Sequence, residues 1–82
     1  MQSVEHVVVG IIAEVLGRSR KNIKTDRAIE KELGADSFDI MEIIMQIEDR
    51  FEKEIPDEEI EKWITVGDIA NYIISVNRRS AL

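Results

Sequence analysis

Gly34-Ala35-Asp36-Ser37-Phe38-Asp39 leads straight into a run that stays periodic as far as Phe51. At about 100° per residue, Ile40, Ile43, Ile44, Ile47 and Phe51 fall within an arc of roughly 100°. That is the core-facing stripe of an amphipathic helix. Phe38, Met41 and Met45 form a second cluster centred roughly 140° away, with Glu42, Glu48 and Asp49 at its edges. The second cluster is either another core contact, in a bundle that wraps the helix on both sides, or an exposed docking ridge with an acidic rim. Methionine is flexible and polarisable, which suits a surface that meets several partners.

Ser37 stands at the mouth of this helix. The first backbone N–H groups of a helix have no partner inside it, and the aligned peptide dipoles make that end partly positive. Such an end holds an anion well, phosphate included. Two readings follow. Ser37 is a plain N-cap, a position serine favours, or its hydroxyl carries a phosphodiester whose charge the helix helps to bind. The cap reading leaves the second apolar stripe unexplained.

Outward from this stretch, the rest of the chain is also helical. Ser3 reads as an N-cap for Val4, Val7, Val8, Ile11, Ile12, Val15 and Leu16 at helical spacing, and Gly17 as the stop. Gly10 lowers helix propensity by roughly 1 kcal/mol against alanine and leaves room for close packing. Arg18, Arg20, Lys21 and Lys24 make the next stretch basic, which reads as a solvated loop. Ile23, Ile29 and Leu33 pin this long connection to the core, and 27–33 forms a helical turn ending at Gly34. Beyond Phe51, Pro56 breaks the pattern, and Asp57 is placed to cap a short helix reaching about Trp63. Thr65 caps a last helix through Val66, Ile69, Ala70, Ile73 and Ile74, with Asp68 at the capping-box position. The periodicity is gone from Asn77, so 77–82 is expected to fray. The prediction is one all-α domain, residues 1–82: a small bundle of three longer helices and one short, with a long loop after the first.

Composition narrows the function. Seventeen acidic against eleven basic residues give a net charge of −6. That charge repels nucleic-acid phosphates and anionic lipid heads and favours basic protein surfaces. Aromatics are only 5%, which argues against base stacking. With no cysteine, thiolate metal sites and disulfides are excluded. The single histidine, His6, has no partner at ligand spacing. Ser37 lacks a neighbouring base, and the nucleophile-elbow, EF-hand and phosphate-loop patterns all fail. No apolar run approaches a membrane span, and the first residues lack a basic leader. The chain reads as a soluble non-enzyme.

The residues resemble a known family. Glu32-Leu33-Gly34-Ala35-Asp36-Ser37-Phe38-Asp39 is similar to the leucine-glycine-x-aspartate-serine-leucine signature of acyl carrier proteins. The resemblance continues through Met41-Glu42 and Ile47-Glu48 to Phe51, then Glu54-Ile55-Pro56-Asp57-Glu58-Glu59, Thr65-Val66-Gly67-Asp68 and Tyr72-Ile73. It covers essentially the whole chain, in the same helix order.

The resemblance implies that Ser37 receives 4′-phosphopantetheine from coenzyme A, placed by a separate transferase. The arm's thiol then carries acyl groups as thioesters between enzymes of fatty-acid or related lipid biosynthesis. By position, Asp36, Phe38, Asp39, Met41, Glu42, Met45 and Glu48 match the family's recognition helix, and Asp49 joins them from helix geometry. This tips the second stripe towards a docking ridge for enzymes with basic surfaces. A cleft for the acyl chain is expected, with Ile44, Ile47, Phe51, Ile60 and Trp63 as lining candidates. The family further implies a free-standing cytoplasmic monomer, an organellar stroma or matrix being the other setting.

Three departures stand out. Phe38 replaces the usual leucine after the serine. Trp63 replaces a smaller aliphatic residue and either narrows the cleft or, as most tryptophans do, covers the core. The basic run Arg18 to Lys24 is unusual too. The alternatives are an aminoacyl or polyketide carrier, and an acidic helical adaptor with no prosthetic group.

Overall fold

The computed structural model describes residues 3–80, and Ala81 and Leu82 lie outside the described residues. Four helices follow in order: α1, Val4–Leu16; α2, Ser37–Phe51; α3, Asp57–Ile60; and α4, Val66–Ser80. α1 packs against both α2 and α4, so it is the shared wall of the bundle. The core is aliphatic. Val8, Ile12, Ile43, Ile47, Val66, Ile69 and Ile73 are its fully enclosed side chains, and no buried side chain among the described residues is polar. Ile43 and Ile47 come from the first stripe of α2, as its spacing predicts.

The helix ends follow local chemistry. The Ser3 hydroxyl accepts from the His6 N–H at 3.1 Å. Gly17 closes α1 in the left-handed region, at φ 65°, which glycine enters without a Cβ clash. At the start of α4, Thr65 and Asp68 cap each other's backbone. Asp68 Oδ2 accepts from the Thr65 N–H at 2.9 Å and Thr65 Oγ1 from the Asp68 N–H at 3.2 Å.

Two expectations need correcting. α3 has Pro56, not Asp57, at its N-cap position, and it ends at Ile60 rather than near Trp63. α4 is helical to Ser80; of the stretch 77–82 expected to fray, 81 and 82 lie outside the described residues. The basic loop is not simply solvated: Arg20–Asn22 forms a 3₁₀ turn. From it Arg20 reaches back over α1, donating to the His6 carbonyl at 2.9 Å. Its guanidinium lies where a Cβ on Gly10 would stand, so the room left by Gly10 is filled by an arginine.

The long connection is anchored at both ends of 25–35. Ile23, Ile29, Leu33 and Ala35 are buried. The predicted turn exists, with the Glu32 N–H donating to the Ala28 carbonyl and the Gly34 N–H to the Glu30 carbonyl. Three backbone bonds stitch this loop to the α3–α4 corner. The Ile29 N–H donates to Ile64 at 2.9 Å, the Val66 N–H to Arg27 at 3.1 Å and the Gly67 N–H to Thr25 at 2.8 Å. An isolated antiparallel bridge, Ala28 with Thr65, lies among them.

Candidate functional site

Asp36, not Ser37, caps α2. Its Oδ1 accepts from the Asp39 N–H at 2.9 Å, while Asp39 Oδ2 accepts from the Asp36 N–H at 3.1 Å. This reciprocal capping box uses aspartate where glutamate or glutamine is usual. Ser37 is therefore the first helical residue. Its side chain is exposed, and its hydroxyl makes no hydrogen bond to another described residue. The plain-cap reading of Ser37 fails on this geometry. The serine that sits over the positive end of α2 is chemically uncommitted.

The second stripe of α2 faces outward. Phe38 is 81% exposed, Met41 58% and Met45 61%. Of the two readings open from the sequence, the second-core one is excluded. Glu42, Met45, Gln46, Glu48 and Asp49 line a shallow groove along the same face. The acids around the ridge differ in how tightly they are held. Asp36 and Asp39 are engaged in the cap. Glu48 is half-buried, and its Oε2 accepts from the Ile55 N–H at 2.9 Å, fixing the segment after α2. Glu42 accepts from Gln46 Nε2 at 3.2 Å on the helix surface, and Asp49 is exposed.

Beside α2 lies an apolar cavity of about 340 Å³. Its floor is Ile29, Ile43 and Ile69, all buried. Its sides are Ile40, Ile44, Ile60 and Trp63, half-buried, and Glu30, Lys31, Glu61 and Ile64 stand exposed at its rim. Ile40 lies one helical turn beyond Ser37. Of the expected lining, Ile44, Ile60 and Trp63 are present. Ile47 and Phe51 are not. Ile47 is wholly enclosed in the core, and Phe51 packs on the core cluster. Both lie further along α2 than the residues that line the cavity. Trp63 packs against the core and also lines the cavity.

Sequence reasoning missed Ile40, Ile43, Ile29 and Ile69 as lining residues. For Ile40 a signal existed, because it shares the stripe of Ile44 and stands a turn closer to Ser37. Ile29 and Ile64 had none, since only the stitch between loop and corner brings them to the cavity. Ile64, 64% exposed, is an apolar rim residue that no periodicity announces.

The family model for the phosphopantetheine attachment site matches residues 6–73. An acyl carrier protein from Clostridium acetobutylicum is 50% identical over 66 residues, covering 80% of this chain and 86% of its own. The chain belongs to the acyl carrier protein family. The solved acyl carrier protein of Enterococcus faecalis superposes with a TM-score of 0.74 at 36% identity, covering 88% of this chain and 91% of that one. A candidate acyl carrier protein from Mycobacterium tuberculosis gives 0.81 at 26% identity, covering 90% and 97%. Like other acyl carrier proteins, this one is a carrier bearing 4′-phosphopantetheine. It is not an enzyme. It works with a phosphopantetheinyl transferase and with the enzymes of acyl pathways. No helix among the described residues is long and apolar enough to cross a membrane.

The site fits the group. A phosphodiester on Ser37 Oγ would replace a hydroxyl proton that no described residue uses, at the helix end whose unpaired N–H groups and dipole favour an anion.

Proposed function

We propose that Ser37 carries the 4′-phosphopantetheine arm and that α2 presents it to partner enzymes of fatty-acid biosynthesis, in the cytoplasm. The observation that carries this is the exposed Ser37 hydroxyl, left free because Asp36 and Asp39 complete the cap without it. When bound, the arm supplies the terminal thiol that holds acyl groups as thioesters.

Loading forms one bond, from Ser37 Oγ to the phosphorus that bears the pantetheine. It breaks the pyrophosphate link of coenzyme A, releasing adenosine 3′,5′-bisphosphate. The serine proton must leave. Asp36 and Asp39 each commit a carboxylate oxygen to the cap, and the base is assigned to the transferase.

Phe38, Met41 and Met45 give partners an apolar ridge, and the acids beside it attract basic docking surfaces. Electrostatic attraction of this kind acts mostly on encounter rate. Of the acids expected to contact partners, Glu42 and Asp49 are free to do so without loss of structure. Asp36, Asp39 and Glu48 serve the fold as well. The cavity reached past Ile40 and Ile44 shelters the acyl chain. Hiding apolar chain from water gains about 0.8 kcal/mol per methylene, enough to keep a thioester partly out of solvent.

The test is intact mass before and after incubation with coenzyme A and a phosphopantetheinyl transferase, with Ser37→Ala beside the parent. One phosphopantetheinyl group added to the parent and none to the variant is the expected result. Addition to the Ser37→Ala chain would place the arm elsewhere.

A further inference from the structure

The cavity beside α2 and a shallow groove between α3 and α4 share Trp63 in their walls. On the cavity side the walls are mainly aliphatic, with Glu30, Lys31 and Glu61 only at the rim. On the groove side they include Glu59, Lys62, Asp68, Asn71 and Tyr72. The indole is thus the partition between an apolar space and a polar one.

That partition is braced. The Tyr72 ring of α4 lies against the indole, with centroids 5.9 Å apart and planes at 56°, within the range where aromatic pairs attract. The Trp63 N–H donates to the Ile60 carbonyl at 3.1 Å. Its chain neighbour Ile64 is held from both sides, donating to Asp68 Oδ2 at 2.8 Å and accepting from the Ile29 N–H at 2.9 Å.

We infer that Trp63, braced by Tyr72, sets the longest acyl chain this carrier can hide. The inference rests on attachment at Ser37. A chain entering past Ile40 and Ile44 runs onto a floor of buried isoleucines, which a growing chain cannot displace without opening the core. On the indole side the space would otherwise continue towards Tyr72. A chain that outgrows the cavity must break the ring contact or leave its end in water. Each hidden methylene shifts the balance towards the sheltered state about fourfold. Protection therefore climbs steeply with chain length and stops where the indole is met.

The experiment loads saturated acyl chains of stepwise increasing length onto the phosphopantetheinylated parent, Trp63→Leu, Trp63→Phe and Tyr72→Leu. It reads the rate of thioester cleavage by hydroxylamine, with acrylamide quenching of the Trp63 fluorescence as a second readout in the parent. In the parent, cleavage slows with length and then levels off, and quenching falls over the same lengths. Trp63→Leu moves the levelling point by two or more carbons, giving at least about fifteenfold more protection at two carbons beyond the parent's limit. Tyr72→Leu moves it the same way by less. Trp63→Phe, which keeps a ring against Tyr72, shifts it modestly and serves as the test if the leucine variant does not fold. An unchanged limit in folded variants overturns the inference, as does a parent that protects no chain at all. A parent that gains no phosphopantetheinyl mass fails earlier and sinks the attachment reading instead.

Discussion

Asp36 and Asp39 each hold the other's backbone N–H, at 2.9 and 3.1 Å, and in doing so release Ser37 from any structural duty. The proposed modification site and the helix cap are adjacent residues with separate tasks. Ser37→Ala is therefore expected to abolish loading while changing stability by less than about 0.5 kcal/mol, as for other exposed positions. Asp36→Ala removes the cap and is expected to cost about 0.5–2 kcal/mol. Urea unfolding of the two variants separates them, and equal losses would contradict the assignment of the cap.

The proposed docking surface is best probed with Glu42 and Asp49. Reversing both to lysine is expected to slow transferase loading several-fold to tenfold at low salt, with a much smaller difference at high salt. Their exposure predicts little change in urea midpoint. Glu48→Lys is a poor probe, because it strips the Ile55 N–H of its acceptor and lowers stability by about 1–3 kcal/mol. Loading rates of the double variant equal to the parent at low ionic strength would remove the acidic rim from partner recognition.

Acid weakens this fold through two carboxylates. The Thr65 and then the Ile64 N–H hold Asp68 below the ordinary carboxylate range. The Ala28 N–H and then the Arg27 side chain hold Glu32 below it as well. A group whose folded pKa is depressed contributes stability above its unfolded pKa and loses it as pH falls through the folded one. The parent should thus lose urea resistance on acidification below the usual carboxylate pKa. Asp68→Asn is expected to be about 0.5–1 kcal/mol less stable at neutral pH and to lose less of what remains on acidification. Parallel pH profiles for parent and variant would show that Asp68 does not supply the effect.

Glu52 ends α2 in the left-handed region, at φ 53°, the single non-glycine residue with positive φ among those described. An L side chain there costs roughly 1–2 kcal/mol, partly offset by the extra unfolded-state freedom a glycine would bring. Glu52→Gly is expected to raise stability by about 0.5–1 kcal/mol, read from the urea midpoint. A destabilised variant would mean that the Glu52 side chain holds something its backbone strain conceals.

The residues that repeat at helical spacing disclosed most of this molecule. Ile40 to Phe51 and the stripes of α1 and α4 marked the bundle, because burial of an amphipathic face leaves a period in the chain. Ser37 and its acidic neighbours were legible too, since helix-end chemistry is local. The hidden part was non-local. Nothing about Arg20 announces that it lies over Gly10, and nothing about Ile29 or Ile64 announces that a backbone bond joins them at the cavity. Whether Phe38, Met41 and Met45 face a neighbour or water was likewise undecidable from α2 alone. Their exposure depends on which face of α2 packs against α1.

The stitch between Thr25–Ile29 and Ile64–Gly67 also has a kinetic side. Its partners are far apart along the chain, so their pairing closes a long loop whose entropy must be paid before the bonds return anything. The helices need no such closure. In refolding, the amides of Ile29, Val66 and Gly67 should gain protection from hydrogen exchange after those inside α1. Until they do, the floor of the cavity has no Ile29 against it, and the carrier has helices but no shelter to offer its cargo.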